Sequence, residues 1–389
     1  MTSPTTRSGR TIQLLPGPTP VPERILSAMG RDVIDHRGPV FQELGLKVLR
    51  DMQAVFRTTE PVIIFASSGT GAWEAAIVNT LSPGDKVLAV EGGHFAAMWS
   101  AMARDFGLET QVIPTDWRGA PDPAKIVEHL ERDKEHAIKA VFVVHNETST
   151  GVRADIAAIR RAIDAAKHPA LLMVDAVSSL AAMDYRHDEW GVDVTVSGSQ
   201  KGMMLPPGLA FTAVSQRALA AGETATLPRY YWSWAKMLAQ NNEGYFPFTP
   251  ATSLLYGLAE SIAMLNEEGF DNVFARHERL AEAVRRAVRA WGLEIWCTEQ
   301  GAYSPAVTTI AMPEGHDSTE FRRLVYDRYD VSLAMGLGKL AGRVFRIGHL
   351  GYVNDSAILG GLTAVERALA FAKVPHNPGG VDAAMSYLG

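Results

Sequence analysis

The chain contains a lysine, Lys201, in a setting that favours chemistry over simple solvation. It follows an apolar run at 193–197 and lies among small residues (SGSQKG, 197–202), with Pro-Pro-Gly at 206–208 shaping the chain beyond it. A lysine held in a partly desolvated site loses its proton more easily and becomes a nucleophile. The pattern fits an amine that bonds an aldehyde cofactor, and it fits an ordinary turn lysine equally well.

A carboxylate, Asp175, ends another apolar run at 170–175 (ALLMVD). In an open α/β sheet, ligands bind outside the carboxyl ends of the strands. The interval between Asp175 and Lys201 leaves room for one further strand, so both side chains can project from the same sheet edge. A carboxylate that keeps a ring nitrogen protonated and a lysine that holds an aldehyde are what pyridoxal 5′-phosphate (PLP) chemistry requires. The alternative for Asp175 is a helix cap or a surface position.

A glycine-rich turn, SSGTG at 67–71, follows the apolar run 62–66 and precedes a predicted helix at 72–81. Backbone N–H groups at a helix N-terminus, together with hydroxyl donors, can bind an anion such as a phosphate. Two alternatives are a dinucleotide fingerprint, with Glu91 as the ribose acceptor, and a turn eased by glycine alone. The fingerprint lacks its third glycine, because Glu74 stands at that position.

The composition is that of a globular chain without a nucleic-acid surface. Hydrophobic residues make up 47% and charged residues 21% of the 389 residues, an ordinary balance that allows a sizeable core. The net charge is −6, whereas nucleic-acid binders need a basic surface. The single cysteine, Cys297, cannot form an intrachain disulfide, and no metal-ligand spacing occurs. No signal peptide or membrane-length apolar run is recognised, so we expect a cytoplasmic protein without a membrane partner.

Short apolar runs alternate with helical patterns up to residue 249. The predicted strands are 62–66, 86–90, 140–144, 170–175, 193–197 and 209–214, and the predicted helices are 72–81, 95–106, 123–134 and 155–166. This alternation predicts an α/β fold with a mostly parallel sheet. Beyond it, a long helical segment (253–291, broken near 268–269), two strand-like pieces and a terminal helix near 355–373 predict a smaller α+β unit. We expect an N-terminal arm (1–20), a large domain (21–250) and a small C-terminal domain (251–389).

Nine strings occur in one order along the chain and together point to a family. They are LLPGPTP (14–20), DHRGP (35–39), SGTGAWEAA (68–76), HNETSTGV (145–152), VDAVSS (174–179), GSQK (198–201), PPG (206–208), GYFPFTP (244–250) and RVFRIGHLG (343–351). With this set, the chain resembles the class V aminotransferases of PLP fold type I, namely the serine–glyoxylate and alanine–glyoxylate aminotransferases, from about residue 12 to 370. The resemblance implies a seven-stranded, mostly parallel sheet between helices, and a smaller C-terminal domain.

The resemblance also implies a site for PLP. Lys201 would bind the cofactor covalently and act as the base, and Asp175 would pair with the pyridine nitrogen. The other implied cofactor contacts surround the ring and the phosphate: Val177 and Phe95 on the ring faces, Thr148 at the ring hydroxyl, Ser68, Gly69, Thr70 and Gln200 at the phosphate, and Thr249 at the phosphate of a neighbouring subunit. The site should therefore need a homodimer, with a tetramer as the larger alternative.

Substrate contacts are implied at three positions. Arg346 would clamp the α-carboxylate, for which a bidentate guanidinium is well suited. Gly17 lies where the N-terminal segment of the family borders the substrate. Arg37 could meet a second carboxylate or an oxygen of the substrate, or it could form a structural ion pair. Trp73 is interpreted as a packing residue.

The reaction implied by the resemblance is transfer of an amino group from a small amino acid to glyoxylate, giving glycine and a 2-oxo acid. Serine is the favoured donor and alanine is a second candidate. The alternatives are an aspartate-type donor, a PLP-dependent lyase or decarboxylase on the same scaffold, and a nucleotide-binding or regulatory module based on the glycine turn.

Overall fold

The computed structural model describes residues 9–389, so the first eight residues of the predicted N-terminal arm (1–20) lie outside the described residues. The described strands are β1 (Ile12–Leu14), β2 (Val62–Phe65), β3 (Lys86–Glu91), β4 (Glu109–Pro114), β5 (Ile138–Val144), β6 (Asn146–Glu147), β7 (Val152–Arg153), β8 (Leu171–Asp175), β9 (Val194–Gly198), β10 (Ala210–Val214), β11 (Val307–Ala311), β12 (Val331–Met335) and β13 (Val344–Gly348). The described α-helices are α1 (Glu23–Met29), α2 (Pro39–Phe56), α3 (Gly69–Thr80), α4 (His94–Asp105), α5 (Pro123–Arg132), α6 (Ile156–Ala165), α7 (Gln216–Thr224), α8 (Trp234–Asn241), α9 (Thr252–Glu268), α10 (Phe270–Ala290), α11 (Ser318–Tyr329), α12 (Asp355–Phe371) and α13 (Gly380–Leu388).

Seven strands form one large sheet in the order β2-β10-β9-β8-β5-β3-β4. Within this sheet β10 runs antiparallel to β2 and β9, and the remaining pairs are parallel. Successive residues face two different cores: Val141 and Val143 belong to one, whereas Ala140 and Phe142 belong to the other. Because both faces are covered, the strands are apolar along their length. The predicted α/β class with a mostly parallel, seven-stranded sheet is confirmed.

The edge strand β4 is the one strand of this sheet without a matching apolar run in the sequence. Its residues alternate in exposure, and Ile113 is its buried residue. Because β4 is half exposed, it need not be apolar on both faces and a search for apolar runs does not find it, whereas β2 at the other edge is buried throughout and is found. The other six strands agree with the predicted runs to within two residues.

The second sheet joins the two ends of the described chain. Its order is β1-β12-β13-β11, and β1 pairs in parallel with β12. The buried side chains of α10, α12 and α13 pack on this sheet in a core of their own. Residues 12–14 of the arm are therefore held by a strand more than 300 positions later in the chain.

The helical segment after residue 250 divides between the two cores. It breaks at Gly269, whose φ of +83° suits a residue without a side chain. Leu255, Leu258 and Ile262 of α9 pack with the core of the large sheet, against α1 and α2. The domain boundary at 250 stays a prediction, but the packing of α9 lies with the larger sheet. Among the described helices, none has the length and apolar composition that a membrane span requires.

Candidate active site

A pocket of about 130 Å³ lies at the carboxyl ends of β5 and β8, after β9, and at the N-terminus of α3. Nine of the ten residues predicted to contact a cofactor line it: Ser68, Gly69, Thr70, Phe95, Thr148, Asp175, Val177, Gln200 and Lys201. Residues from distant parts of the sequence meet here because parallel strands present their carboxyl ends at one edge of the sheet.

Asp175 is the last residue of β8, and its carboxylate is buried, with 4% of the residue exposed. Its Oδ1 accepts a hydrogen bond from the backbone N–H of Val177 (2.6 Å), and its Oδ2 accepts one from the indole Nε1–H of Trp73 (3.1 Å). Burial has the larger effect on the pKa of Asp175 and raises it to about 7, although the two donors lower it. No ion pair to this carboxylate within 4 Å occurs in residues 9–389.

Lys201 lies beyond the end of β9, with its side chain buried against the N-terminal segment. Its Nζ donates a hydrogen bond to the backbone oxygen of Pro16 (2.7 Å). A Cβ on Gly17 would lie 2.2–2.6 Å from Cδ, Cε and Nζ of this lysine and would displace it, and the φ of +110° at Gly17 also favours glycine. Burial, with the charge of Arg346, lowers the pKa of Lys201 to about 8, and a larger share of the amine is neutral near physiological pH.

The glycine turn forms the first turn of α3, which begins at Gly69, three residues before the predicted start. Ser68 is its N-cap residue and makes no side-chain capping bond, so the first N–H groups of the helix remain available. A Cβ on Gly69 would lie 2.5 Å from Cγ2 of Val177. Gln200 lines the pocket as well, and its amide NH₂ is a hydrogen-bond donor, whereas its buried Oε1 is an acceptor without a partner among the described residues. This end of the pocket has the features of an anion site.

Four further residues line the pocket but were not predicted as site residues from the sequence: Trp73, Val144, Asn146 and Ser178. The hydroxyl of Ser178 accepts hydrogen bonds from Thr148 Oγ1 (2.7 Å) and Asn146 Nδ2 (2.8 Å). The sequence contained one signal for the place of Trp73 in the pocket. Trp73 follows Gly69 by four residues, and residues at this spacing share one face of a helix.

Arg346 reaches the pocket region from β13 of the second sheet. Its Nε donates to the backbone oxygen of Met335 (2.8 Å), and a terminal nitrogen donates to the backbone oxygen of Thr148 (2.8 Å), next to the pocket. Burial lowers the pKa of Arg346 to about 10, which leaves the group charged at neutral pH. No carboxylate lies within 4 Å of this guanidinium in the described part of the chain, so it is available to an anionic ligand.

Arg37 and Thr249 do not line the pocket in the single chain. Arg37 is exposed just before α2, and its backbone N–H donates to Asp35 Oδ1 (2.9 Å). Thr249 is exposed beside a second cavity bordered by Tyr231 and Phe248. The roles implied for both residues stay predictions, and the one at Thr249 requires a second subunit.

Glu147 is a buried carboxylate beside the site to which the sequence assigned no role. Its Oε1 accepts hydrogen bonds from the N–H (3.0 Å) and hydroxyl (2.6 Å) of Ser149, and its Oε2 accepts one from the N–H of Ala96 (3.1 Å). A Cβ on Gly93 would lie 2.2 Å from Cγ of Glu147. The carboxylate thus holds the first turn of α4, which carries Phe95 into the pocket.

We expect Glu147→Gln to weaken both the fold and the site. Glutamine keeps the volume, but its amide NH₂ would face an N–H donor and the negative charge is lost. The unfolding free energy should fall by about 1–3 kcal/mol, and kcat/KM should fall about tenfold as Phe95 loses its support. Denaturant unfolding and steady-state kinetics on the same preparation measure both. Glu128→Gln, at an exposed glutamate bonded to Arg132, is the control, and identical behaviour of the two variants would contradict the role.

Comparison with known proteins places these features in a family. A family model described as Aminotransferase class-V matches residues 16–338. A serine–glyoxylate aminotransferase of Methylorubrum extorquens is 47% identical over 391 residues, covering 99% of this chain and 97% of the relative. An L-aspartate–glyoxylate aminotransferase of Paracoccus denitrificans is 46% identical, covering 96% and 95%. The crystal structure of a pyridoxamine–pyruvate aminotransferase from Mesorhizobium loti is similar with 30% identity and a TM-score of 0.92, covering 98% of this chain and 97% of that one.

The similarity extends over nearly the whole chain and includes the pocket. Residues 16–338 contain every residue that lines it, and the similarity to the Methylorubrum protein extends over 99% of the chain. The fold is that of the PLP fold type I aminotransferases. The chain therefore belongs to the class V aminotransferases, a family of PLP-dependent transaminases.

Proposed function

We propose that this transaminase carries PLP on Lys201 and transfers an amino group from a small amino acid, with serine favoured, to glyoxylate. The observation that carries the proposal is the buried amine of Lys201 and the buried carboxylate of Asp175, which line one pocket. The near-full-length similarity to a serine–glyoxylate aminotransferase supports the choice of substrates.

The pocket residues fit PLP by their chemistry. The free N–H groups at the α3 N-terminus suit a phosphate, and the amide NH₂ of Gln200, which lines the pocket, is a further donor. Asp175, buried and without a cation bonded to it in residues 9–389, suits a protonated ring nitrogen. The lowered pKa of Lys201 suits bond formation with an aldehyde.

PLP, when bound, supplies a ring that accepts the electrons released as the substrate loses its α-proton. Asp175 holds the ring nitrogen in its protonated form. The Nζ of Lys201 accepts the α-proton and returns it later in the reaction, as a base whose pKa of about 8 lies near the operating pH. Arg346 comes from the second sheet and donates to the backbone oxygen of the pocket residue Thr148, so it can bind the substrate carboxylate while the residues of the first sheet hold the cofactor.

Arg346→Lys should raise KM for the amino donor and for glyoxylate by about ten- to hundredfold, with a smaller change in kcat. Lysine keeps the charge but loses the two-pronged geometry that matches a carboxylate, at a cost of about 1.5–3 kcal/mol. Steady-state kinetics with varied donor give the two constants. Arg322→Lys is the matched control, because Arg322 also bonds a backbone oxygen of β12, that of Leu333. An unchanged KM for every donor would contradict the role of Arg346.

The donor is decided by assay with glyoxylate and a panel of serine, alanine and aspartate. The Paracoccus relative is an L-aspartate–glyoxylate aminotransferase at nearly the same identity as the serine enzyme, which keeps aspartate as the second candidate. We expect serine to give the highest kcat/KM, with glycine formed in equal amount to the 2-oxo acid. Release of ammonia or carbon dioxide without glycine would indicate a lyase or decarboxylase instead.

We further propose a homodimer whose subunits share their active sites, in the cytoplasm. Thr249 is exposed beside an aromatic surface in which Phe248 stacks on Tyr231 (5.0 Å) and Tyr230 is 71% exposed. Aromatic side chains are enriched at interfaces between proteins. Light scattering should give twice the chain mass, or four times for a tetramer. A monomer with full activity would contradict the shared site.

A further inference from the structure

Trp73 combines a place in the pocket with a hydrogen bond to its key carboxylate. It lies on α3, one helical turn after Gly69, and 3% of the residue is exposed. Its indole Nε1–H donates to Asp175 Oδ2 at 3.1 Å, and its ring lines the pocket. A residue needed for packing alone would not have to aim its one polar atom at this carboxylate.

The two oxygens of Asp175 each have one donor within the chain. The N–H of Val177 serves Oδ1, and the indole of Trp73 serves Oδ2. Both donors are neutral, so they favour the ionised carboxylate and fix its plane without cancelling its charge. Without the indole, Oδ2 would have no donor among the described residues and would be free to turn.

The indole of Trp73 is itself held in place by stacked rings. It stacks on Trp99 (centroids 5.9 Å apart, planes 13° apart), and Trp99 stacks on Phe142 of β5 (4.4 Å, 11°). The strand β5 pairs directly with β8, which ends at Asp175. The Nε1 of Trp99 is buried and has no hydrogen-bond partner. Of these two stacked indoles, therefore, Trp73 alone has its N–H engaged.

We propose that Trp73 is a positioning residue, whose indole N–H holds Oδ2 of Asp175 so that the carboxylate stays ionised and faces the ring nitrogen of bound PLP. The inference rests on the proposed function, since it requires that PLP binds here. It also assigns the stacked rings a role, which is to keep the indole N–H directed at Asp175 Oδ2. Removing the N–H favours a protonated or rotated carboxyl group, which pairs poorly with a protonated ring nitrogen.

The test compares the affinity of cofactor-free Trp73→Phe and wild type for PLP and for 1-deaza-PLP, the analogue with carbon in place of the ring nitrogen. Trp73→Phe should bind PLP about tenfold more weakly, because it loses a hydrogen bond to a charged group. The penalty should disappear with the analogue, which gives Asp175 no nitrogen to pair with. Trp234→Phe is the matched control, since it also replaces a buried indole by a phenyl ring and removes an N–H that has no partner, but lies outside both the stacked rings and the pocket, and it should bind both compounds as wild type does.

An equal penalty for both compounds would overturn the inference, because a structural role does not depend on the ring nitrogen. Failure of wild type to bind PLP at all would instead overturn the proposed function. If Trp73→Phe does not fold, wild type labelled with ¹⁵N-tryptophan answers the question. The Trp73 indole resonance should shift when PLP is added and should shift much less with 1-deaza-PLP, and identical shifts would contradict the inference.

Discussion

Lys201→Ala should lose at least about 10²- to 10⁴-fold in kcat, the usual contribution of a positioned base, and the covalent attachment of PLP should be lost with it. The variant removes the one amine that lines the pocket in residues 9–389. Its fold should persist, because the Lys201 side chain makes a single hydrogen bond, to Pro16, and alanine keeps the backbone bonds and creates no clash beside Gly17. Turnover and mass spectrometry after borohydride reduction measure the two losses.

The control for this variant is Lys47→Ala, at a half-exposed lysine on α2 that pairs with Asp51. It should keep full turnover and a borohydride-reducible bond to PLP. Normal activity in Lys201→Ala, or a PLP adduct at another lysine of the active protein, would remove the assignment of anchor and base.

The same amine should give the reaction with PLP a characteristic pH dependence. Its pKa falls from 10.5 to about 8, through burial and through the charge of Arg346. Only the neutral amine is a nucleophile, so uptake of PLP by cofactor-free protein should speed up about tenfold per pH unit below this pKa and level off above it. Loss of the Arg346 charge should move the midpoint to higher pH, and a midpoint near 10 in wild type would contradict burial of the amine.

The sequence predicts those residues of the site whose reactive group comes at the end of a strong local pattern, such as an apolar run. Lys201 and Asp175 each follow an apolar run, and parallel strands bring the ends of such runs to one edge. The glycine turn is similarly local, because its role as the first turn of α3 needs only the residues that form it. For the same reason the six buried strands are predictable, whereas the half-exposed β4 is not.

The rest of the site depends on contacts between residues far apart in the sequence, which no local sequence pattern predicts. From the sequence, Trp73 is interpreted as a core residue, because nothing in α3 itself indicates that its indole donates a hydrogen bond to Asp175, more than 100 positions later in the chain. Glu147 lies in a polar string, yet its function follows from the N–H of Ala96 on a different element. Arg37 and Thr249 remain untested, because Arg37 lies outside the pocket of the single chain and the role implied for Thr249 requires another subunit. Local sequence thus predicts the reacting groups better than the residues that position them.

Asp175→Asn should lose about 100-fold or more in kcat, because a neutral amide cannot hold the ring nitrogen of PLP in its protonated form. The matched control is Asp193→Asn. Asp193 is equally buried but lies at the opposite, N-terminal edge of the strands, where it pairs with Arg217 and accepts the N–H of Leu172. This control should lose stability and keep its turnover, so the pair of variants separates the burial of a carboxylate from its chemistry.

The stability of cofactor-free Asp175→Asn gives an independent check with a definite sign. The pKa of Asp175 is raised from 3.8 to about 7, so between these values the folded protein binds more protons than the unfolded chain and loses stability as pH rises. Asparagine removes this penalty, and the variant should therefore be no less stable than wild type above pH 7, although its amide must face the indole of Trp73. A large loss of stability at pH 8 would show that Asp175 supports the fold, whereas near-normal turnover would remove its pairing with the ring nitrogen from the mechanism.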